Sequence, residues 1–142
     1  MLTTPPRTCF EHHSIDSRPD HRYSNQQTKK MAPVTHIVLF EFKPEVTKTQ
    51  RDELSAEMLG LKDKCIHSKT QKPYILRSSG GTDNSIEGLQ HGITHAFVVE
   101  FASVEDRQYY VKEDPAHIAF VNKLFPFLAK PYIIDFTPGE FN

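Results

Sequence analysis

The chain has 142 residues, and its 17 lysine and arginine side chains nearly balance 18 aspartates and glutamates, for a formal charge of −1. This length fits one domain with its own core, and the charge provides no overall field to attract nucleic acid or an anionic membrane. No apolar run approaches the roughly 18–20 residues that span a bilayer, and Cys9 and Cys65 fit no metal-binding or redox spacing. We therefore expect a soluble, reduced, cytoplasmic protein without a nucleic acid or membrane partner.

The first part of the chain differs in composition from the rest. Residues 1–32 are polar and proline-containing, with only scattered large apolar side chains. Such a segment cannot bury enough surface to offset the entropy of ordering it. We predict a disordered N-terminal extension over residues 1–32 and one folded domain over residues 33–142.

The folded part opens with a strand and a helix. Apolar residues alternate from Val34 to Phe42, which is the period of a β-strand, and both faces of this strand carry apolar side chains. Thr47 then suits a helix N-cap. The apolar residues that follow recur at steps of three and four, which predicts an amphipathic helix over 48–64.

The remaining elements alternate short strands with helices. The pattern predicts a strand over 72–79, a loop over 80–92, a strand over 93–101, a short helix after Ser103, a helix over 114–129 and a strand over 132–136. The order β-α-β-β-α-α-β is typical of an α+β ferredoxin-like fold, with a four-stranded antiparallel sheet and helices on one face. Because the first and third strands are apolar on both faces, we expect a homodimer formed by packing two sheets together.

The strongest local signal for function is the start of the last helix. Asp114 is a good N-cap, and Pro115 suits the first helical position. His117 then lies in the first turn, where free backbone N–H groups and the positive end of the helix dipole favour a neutral ring. A neutral imidazole can act as a general base.

Two further histidines share one phase of the predicted sheet. His36 and His95 occupy equivalent early positions in the first and third strands, among aromatic and aliphatic neighbours. Together with His117 and with Tyr109 or Tyr110, they could surround an apolar pocket. A base and a phenol are what proton abstraction next to a carbonyl requires. The sequence has no nucleophile elbow, phosphate-binding glycine loop or dinucleotide fingerprint, and no histidine pair has a diagnostic metal-binding spacing, so we expect neither a cofactor nor a metal.

Four stretches of the sequence resemble a known family. They are Thr35-His36-Ile37-Val38-Leu39-Phe40-Glu41-Phe42-Lys43, Gly92-Ile93-Thr94-His95, Asp114-Pro115-Ala116-His117 and Asp135-Phe136-Thr137-Pro138. In this order they are similar to the stress-responsive dimeric α/β-barrel domain family, over about residues 33–138. The resemblance implies a ferredoxin-like fold, a barrel-like homodimer and, for one plant polyketide cyclase in the family, cofactor-free aldol closure of a linear thioester.

The resemblance also implies site residues. It places His36, His95 and His117 on histidine positions of that cyclase, with His117 as the base, and it places Tyr110 on the active tyrosine. This chain has one more residue between Tyr110 and His117 than the cyclase has. One inserted residue rotates a helix by about 100°, so the phenol points away from His117 unless the break before Asp114 absorbs the turn.

Two functions remain open from the sequence. The first is a small stress-response homodimer that binds an apolar ligand and has no established reaction. The second is a cofactor-independent cyclase or lyase that acts on a polyketide-like β-keto thioester, with His117 as general base and with Tyr110 or His95 polarising a carbonyl.

Overall fold

The computed structural model describes residues 32–141, so the predicted N-terminal extension lies outside the described residues except for Ala32. The elements are β1 (Val34–Phe42), α1 (Lys48–Lys64), β2 (Ile75–Thr82), β3 (His95–Phe101), α2 (Val104–Lys112), α3 (Pro115–Leu124), a 3₁₀ turn (Phe125–Phe127) and β4 (Leu128–Phe136). Their order is the predicted one. No helix within residues 32–141 combines the length and the apolar character needed to cross a bilayer.

The first two elements have the predicted bounds because their local signals are strong. The buried positions of β1 alternate along its whole length. At the start of α1, Thr47 and Gln50 form a reciprocal capping box, and Leu54, Met58 and Leu61 make the buried stripe. The periodicity of burial and the cap therefore agree on where both elements lie.

Four predicted elements have different bounds in the structure. The third strand, β3, begins at His95 rather than at residue 93. The second strand runs from Ile75 to Thr82 rather than over 72–79. Its pairing with β3 continues through two glycines that were predicted to lie in a loop. The last helix ends at Leu124 rather than near residue 129, where Pro126 favours a 3₁₀ turn. The last strand begins at Leu128 rather than at residue 132. It tolerates a proline because it lies at the sheet edge.

The four strands form one antiparallel sheet in the order β2-β3-β1-β4. The helices cover one face, where the core side chains of β1 and β3 are buried. We call this the helix-covered face. The register places Asp135 of β4 beside His36 of β1, and His95 of β3 beside Phe40. These pairings decide which polar groups can meet.

The opposite face of the sheet carries apolar side chains that no element within residues 32–141 covers. We call it the open face. Its central strand β1 presents Ile37 and Leu39, which pair with Ile134 and Tyr132 of β4. Ile134 keeps 58% of its surface exposed. An exposed apolar sheet face of this kind is a typical interaction surface.

Candidate functional site

A cavity of about 460 Å³ lies between helices α2 and α3 and the strands β1 and β4. Its lining is mostly aliphatic and aromatic, with polar groups at a few positions. The apolar part includes Val38, Phe40, Met58, Phe120, Leu124 and Leu128. The polar part is formed mainly by His36, Tyr110, His117, Asp135 and Arg107. A concave apolar pocket with few polar groups is the usual form of a small-molecule site.

Tyr110 and His117 meet inside this cavity. Their ring centroids are 3.8 Å apart, with an angle of 32° between the ring planes. The helix that carries Tyr110 ends at Lys112, and Glu113 has φ −131° and ψ −28°, outside helical values. A new helix starts after Asp114. The break therefore absorbs the extra residue, and the phenol ring faces His117 rather than pointing away from it.

His117 has the electrostatics of a neutral base. Burial, together with the nearby His36 and against the opposing effect of Asp114, lowers the pKa of His117 from 6.5 to about 4. The ring is therefore uncharged at neutral pH. Its Nδ1 atom is buried and has no hydrogen-bond partner among the described residues.

The Tyr110 hydroxyl is the second unpartnered group. The side chain is fully buried, at 0% exposure, and its oxygen has no hydrogen-bond partner within residues 32–141. Burial first, then the nearby Cys65 and Asp114, raise the pKa of Tyr110 well above its usual range. The group therefore remains a phenol at neutral pH and can donate one hydrogen bond.

His36 extends from β1 into the cavity lining, and Asp135 of β4 fixes its ring. Its Nδ1 lies 2.5 Å from Oδ1 of Asp135, and the other carboxylate oxygen of Asp135 pairs with Arg107. The carboxylate accepts the Nδ1–H hydrogen bond, so Nε2 is the ring nitrogen that Asp135 does not engage. The His36 ring also makes an edge contact with Tyr110, at a centroid distance of 5.8 Å.

The structure does not bring His95 to this cavity. His95 lies beside Phe40, four residues along β1 from His36, and its ring contacts Phe42 and the Thr94 hydroxyl. Burial, followed by the positive charge of Arg51, lowers the pKa of His95. The predicted grouping of three histidines does not form, because antiparallel strands place their early positions at opposite ends of a sheet.

Two members of the site, Asp135 and Arg107, were not predicted from the sequence. Asp135 was quoted for the resemblance but was given no role. The signal that could have found it is the phase of β4: Asp135 and Ile133 alternate in step with His36 and Val38. Arg107 gave no signal, since a basic residue on a short helix usually faces solvent.

The choice between Tyr109 and Tyr110 is also decided by the geometry. Tyr109 stacks on His67, with ring centroids 4.3 Å apart, on the other side of α2. Only Tyr110 lines the cavity. Within residues 32–141, no three histidine, cysteine, aspartate or glutamate side chains are grouped as metal ligands would be.

Comparisons with known proteins agree with this architecture. The family model described as the stress responsive A/B barrel domain matches residues 34–138. Olivetolic acid cyclase from Cannabis sativa is 30% identical over 107 residues, which cover 75% of this chain and 98% of that protein.

Two solved structures are also similar. The hydroxynitrile lyase from Passiflora edulis is 25% identical, with a TM-score of 0.67 over 78% of this chain and 97% of its own. A dimeric ferredoxin-like protein of unknown function from Thermobifida fusca has a TM-score of 0.60 at 19% identity, over 76% of this chain and 92% of its own. These matches confirm the ferredoxin-like α+β fold. The chain belongs to the stress-responsive A/B barrel domain family.

Proposed function

We propose that this protein binds an apolar, carbonyl-bearing small molecule in the cavity and acts on it as a cofactor-independent cyclase or lyase. One observation carries the proposal: a buried phenol and a partly buried neutral imidazole lie ring to ring in an apolar cavity, and each has a buried polar atom without a hydrogen-bond partner among residues 32–141. Folded proteins leave few such groups unpaired. A ligand oxygen and a ligand C–H group would supply the missing partners.

The chemistry follows from the protonation states. His117 is neutral and can remove a proton from a carbon next to a carbonyl group. The Tyr110 hydroxyl can donate to the carbonyl oxygen, where negative charge develops as the proton leaves. The resulting enolate carbon can attack a second carbonyl group of the same substrate molecule. The alkoxide then takes up a proton, which His117 can return, so protons and electrons balance without a redox partner.

His36 supplies a second imidazole at the same cavity. Because Asp135 holds Nδ1, only Nε2 is free to exchange a proton with a ligand. Its position near Tyr110 suits a role in orienting the phenol or in taking up the second proton. His95 lines no part of the cavity and is not assigned a catalytic role.

The relatives support this class of reaction. One is named as a cyclase and another as a hydroxynitrile lyase. An aldol-type ring closure of a polyketide-like β-keto thioester is the reaction that we infer for this chain. The apolar tail of the thioester would lie along the apolar part of the cavity lining.

A second candidate function is ligand binding without turnover, in a stress-response protein. The mostly apolar lining of the cavity favours it, because such a surface can hold a ligand by burial alone. Turnover separates the two candidates. Binding without reaction would leave the second candidate in place and reject the first.

We also propose that the protein is a homodimer that packs two open faces together. The apolar side chains of that face need a cover, and the relative from Thermobifida fusca is described as dimeric. The cavity lies on the helix-covered face, so each protomer would keep its own site.

The test is a turnover assay with purified full-length protein and a series of linear β-keto thioesters whose apolar tails differ in length. Mass spectrometry would follow loss of the linear thioester and appearance of the cyclic product. We expect His117→Gln to lower the rate by about 10²–10⁴-fold, the usual contribution of a general base. The matched control is His95→Gln, a buried histidine on the same face, which should retain the rate. Equal rates for wild type and His117→Gln would reject the assignment.

A further inference from the structure

A buried carboxylate lies directly behind His117, outside the cavity. Asp114 is 0% exposed and precedes His117 by three residues at the start of α3. Neither Asp114 nor its partners Tyr74 and Cys65 line the cavity. A fully buried acidic side chain is rare unless several donors compensate it.

Three donors converge on this carboxylate. One oxygen accepts from the backbone N–H groups of Ala116, at 2.8 Å, and His117, at 3.2 Å. The other oxygen accepts from the Tyr74 hydroxyl at 2.6 Å. The Cys65 thiol lies close to Asp114, and burial, followed by the charge of Asp114, raises the pKa of that thiol to about 12.

The network joins distant parts of the chain to the first turn of α3. Tyr74 immediately precedes β2, and Cys65 is the C-cap residue of α1. Tyr74 therefore holds Asp114 from outside the cavity lining, and Cys65 lies against Asp114 without lining the cavity. Asp114 in turn holds the backbone of His117 and so fixes where its ring meets Tyr110.

The same carboxylate acts on the charge of the ring. A nearby negative charge favours the imidazolium form of His117. The hydrogen-bond donors to Asp114 partly offset its negative charge, and so weaken the effect of Asp114 on the charge of the His117 ring. The other titratable or charged groups around His117 are His36 of β1, Tyr110 of α2 and, behind His36, the pair Asp135 and Arg107.

We propose that Tyr74 and Asp114 are positioning residues for His117: from outside the cavity Asp114 holds the backbone of His117 so that its ring meets Tyr110, and Tyr74 holds Asp114 in place and offsets its charge. The inference rests on the proposed function only in giving His117 a reaction to serve. The placement and the charge of the ring can be measured on the free protein.

The test is an NMR titration of the His117 ring in the full chain labelled on histidine, with its signal assigned from the spectrum of His117→Gln. Tyr74→Phe removes one donor from Asp114 and leaves more negative charge near the ring. We expect the pKa of His117 to rise by about half a unit or more. The matched control is Tyr109→Phe, which loses a hydroxyl from the same aromatic cluster but none of the described bonds to Asp114, and which should leave the pKa unchanged.

A second variant tests the path through Asp114. Asn is as good an N-cap as Asp, so Asp114→Asn keeps the helix start and removes the charge. We expect its His117 ring to stay neutral to lower pH than in the wild type. Adding Tyr74→Phe to this variant should then change nothing further, because the charge that Tyr74 shares is gone.

The outcomes separate cleanly. An unchanged His117 pKa in folded Tyr74→Phe, or an equal shift in Tyr109→Phe, would overturn the inference. A Tyr74→Phe shift that persists in the Asp114→Asn background would also overturn it. No substrate enters these measurements, so a failure of the proposed reaction would leave their result unaffected.

Discussion

Two buried tyrosines, Tyr74 and Tyr110, are expected to respond in opposite ways to loss of the hydroxyl group. The Tyr74 hydroxyl donates to the buried carboxylate of Asp114, whereas the Tyr110 hydroxyl has no partner among the described residues. Both side chains are nearly or fully buried, at 9% and 0% exposure. Replacement by phenylalanine keeps the ring and its packing, so the change in stability reports the hydroxyl alone.

The expected magnitudes differ by more than experimental error. A hydrogen bond to a charged group contributes about 1.5–3 kcal/mol, and Tyr74→Phe should lose that amount. Tyr110→Phe removes an unpaired buried group, whose burial costs about 1–3 kcal/mol when no water reaches it. This variant should therefore be as stable as the wild type or more stable. A 2 kcal/mol loss in a domain of about 100 residues lowers Tm by about 10 °C.

Urea denaturation at pH 7, with linear extrapolation and one protein concentration throughout, measures both changes. Tyr110→Phe should also lose turnover in the β-keto thioester assay while it keeps its stability. A loss of stability in Tyr110→Phe as large as that in Tyr74→Phe would contradict this prediction. In that case the Tyr110 hydroxyl has a structural partner and is not held ready for a ligand.

Three further predictions concern backbone packing, pH and assembly. Gly80→Ala would place its Cβ against the Phe97 ring, whereas the Cβ of Gly81→Ala would meet nothing within 4 Å. Calorimetry should therefore show a loss of stability of about 1–3 kcal/mol for Gly80→Ala and a much smaller loss for Gly81→Ala. Folding lowers the pKa of His117 to about 4, so as pH falls the unfolded chain binds a proton at this histidine before the folded protein does. The wild type should therefore lose stability as pH falls from about 6.5 to 4. The slope from this group is at most about 1.4 kcal/mol per pH unit. Urea unfolding of His117→Gln should show a correspondingly weaker dependence on pH. Ile134→Lys puts a charge on the open face and should give a monomer by light scattering, with the helical circular dichroism retained.

Each of these has a result that contradicts it. Equal losses at Gly80 and Gly81 would mean that β2 can move away from Phe97. An unaltered pH dependence in His117→Gln would mean that the ring is not desolvated in the folded state. A dimeric Ile134→Lys would place the interface elsewhere than on the open face.

The sequence contained enough information for the fold but not for the full site. The alternation of β1 and the stripe of α1 predicted both elements correctly, because burial imposes those periods on each residue. The start of α3 was also predicted, since Asp114 and Pro115 are local signals. The meeting of Tyr110 and His117 was left open, because it depends on how Glu113 turns the chain between two helices.

What the sequence could not supply is the register between strands. His36 and His95 look equivalent within their own strands, but antiparallel pairing places them beside Val99 and Phe40, four residues apart along the sheet. The same register brings Asp135 to His36 from the far end of the chain. Such contacts follow from strand order and pairing, and no local pattern encodes them.

The most direct test of the central claim is hydrogen exchange at carbon. The protein in D₂O would be mixed with a linear apolar compound that carries a methyl ketone, and NMR would follow loss of the protons next to the carbonyl. If His117 is a base that faces such a ligand, the wild type should exchange these protons at least about 100-fold faster than buffer alone. His117→Gln should fall to near the buffer rate, and His95→Gln should not. If the wild type binds such ligands but their protons exchange only at the buffer rate, His117 is not a base toward them. The protein would then bind its ligand without reaction.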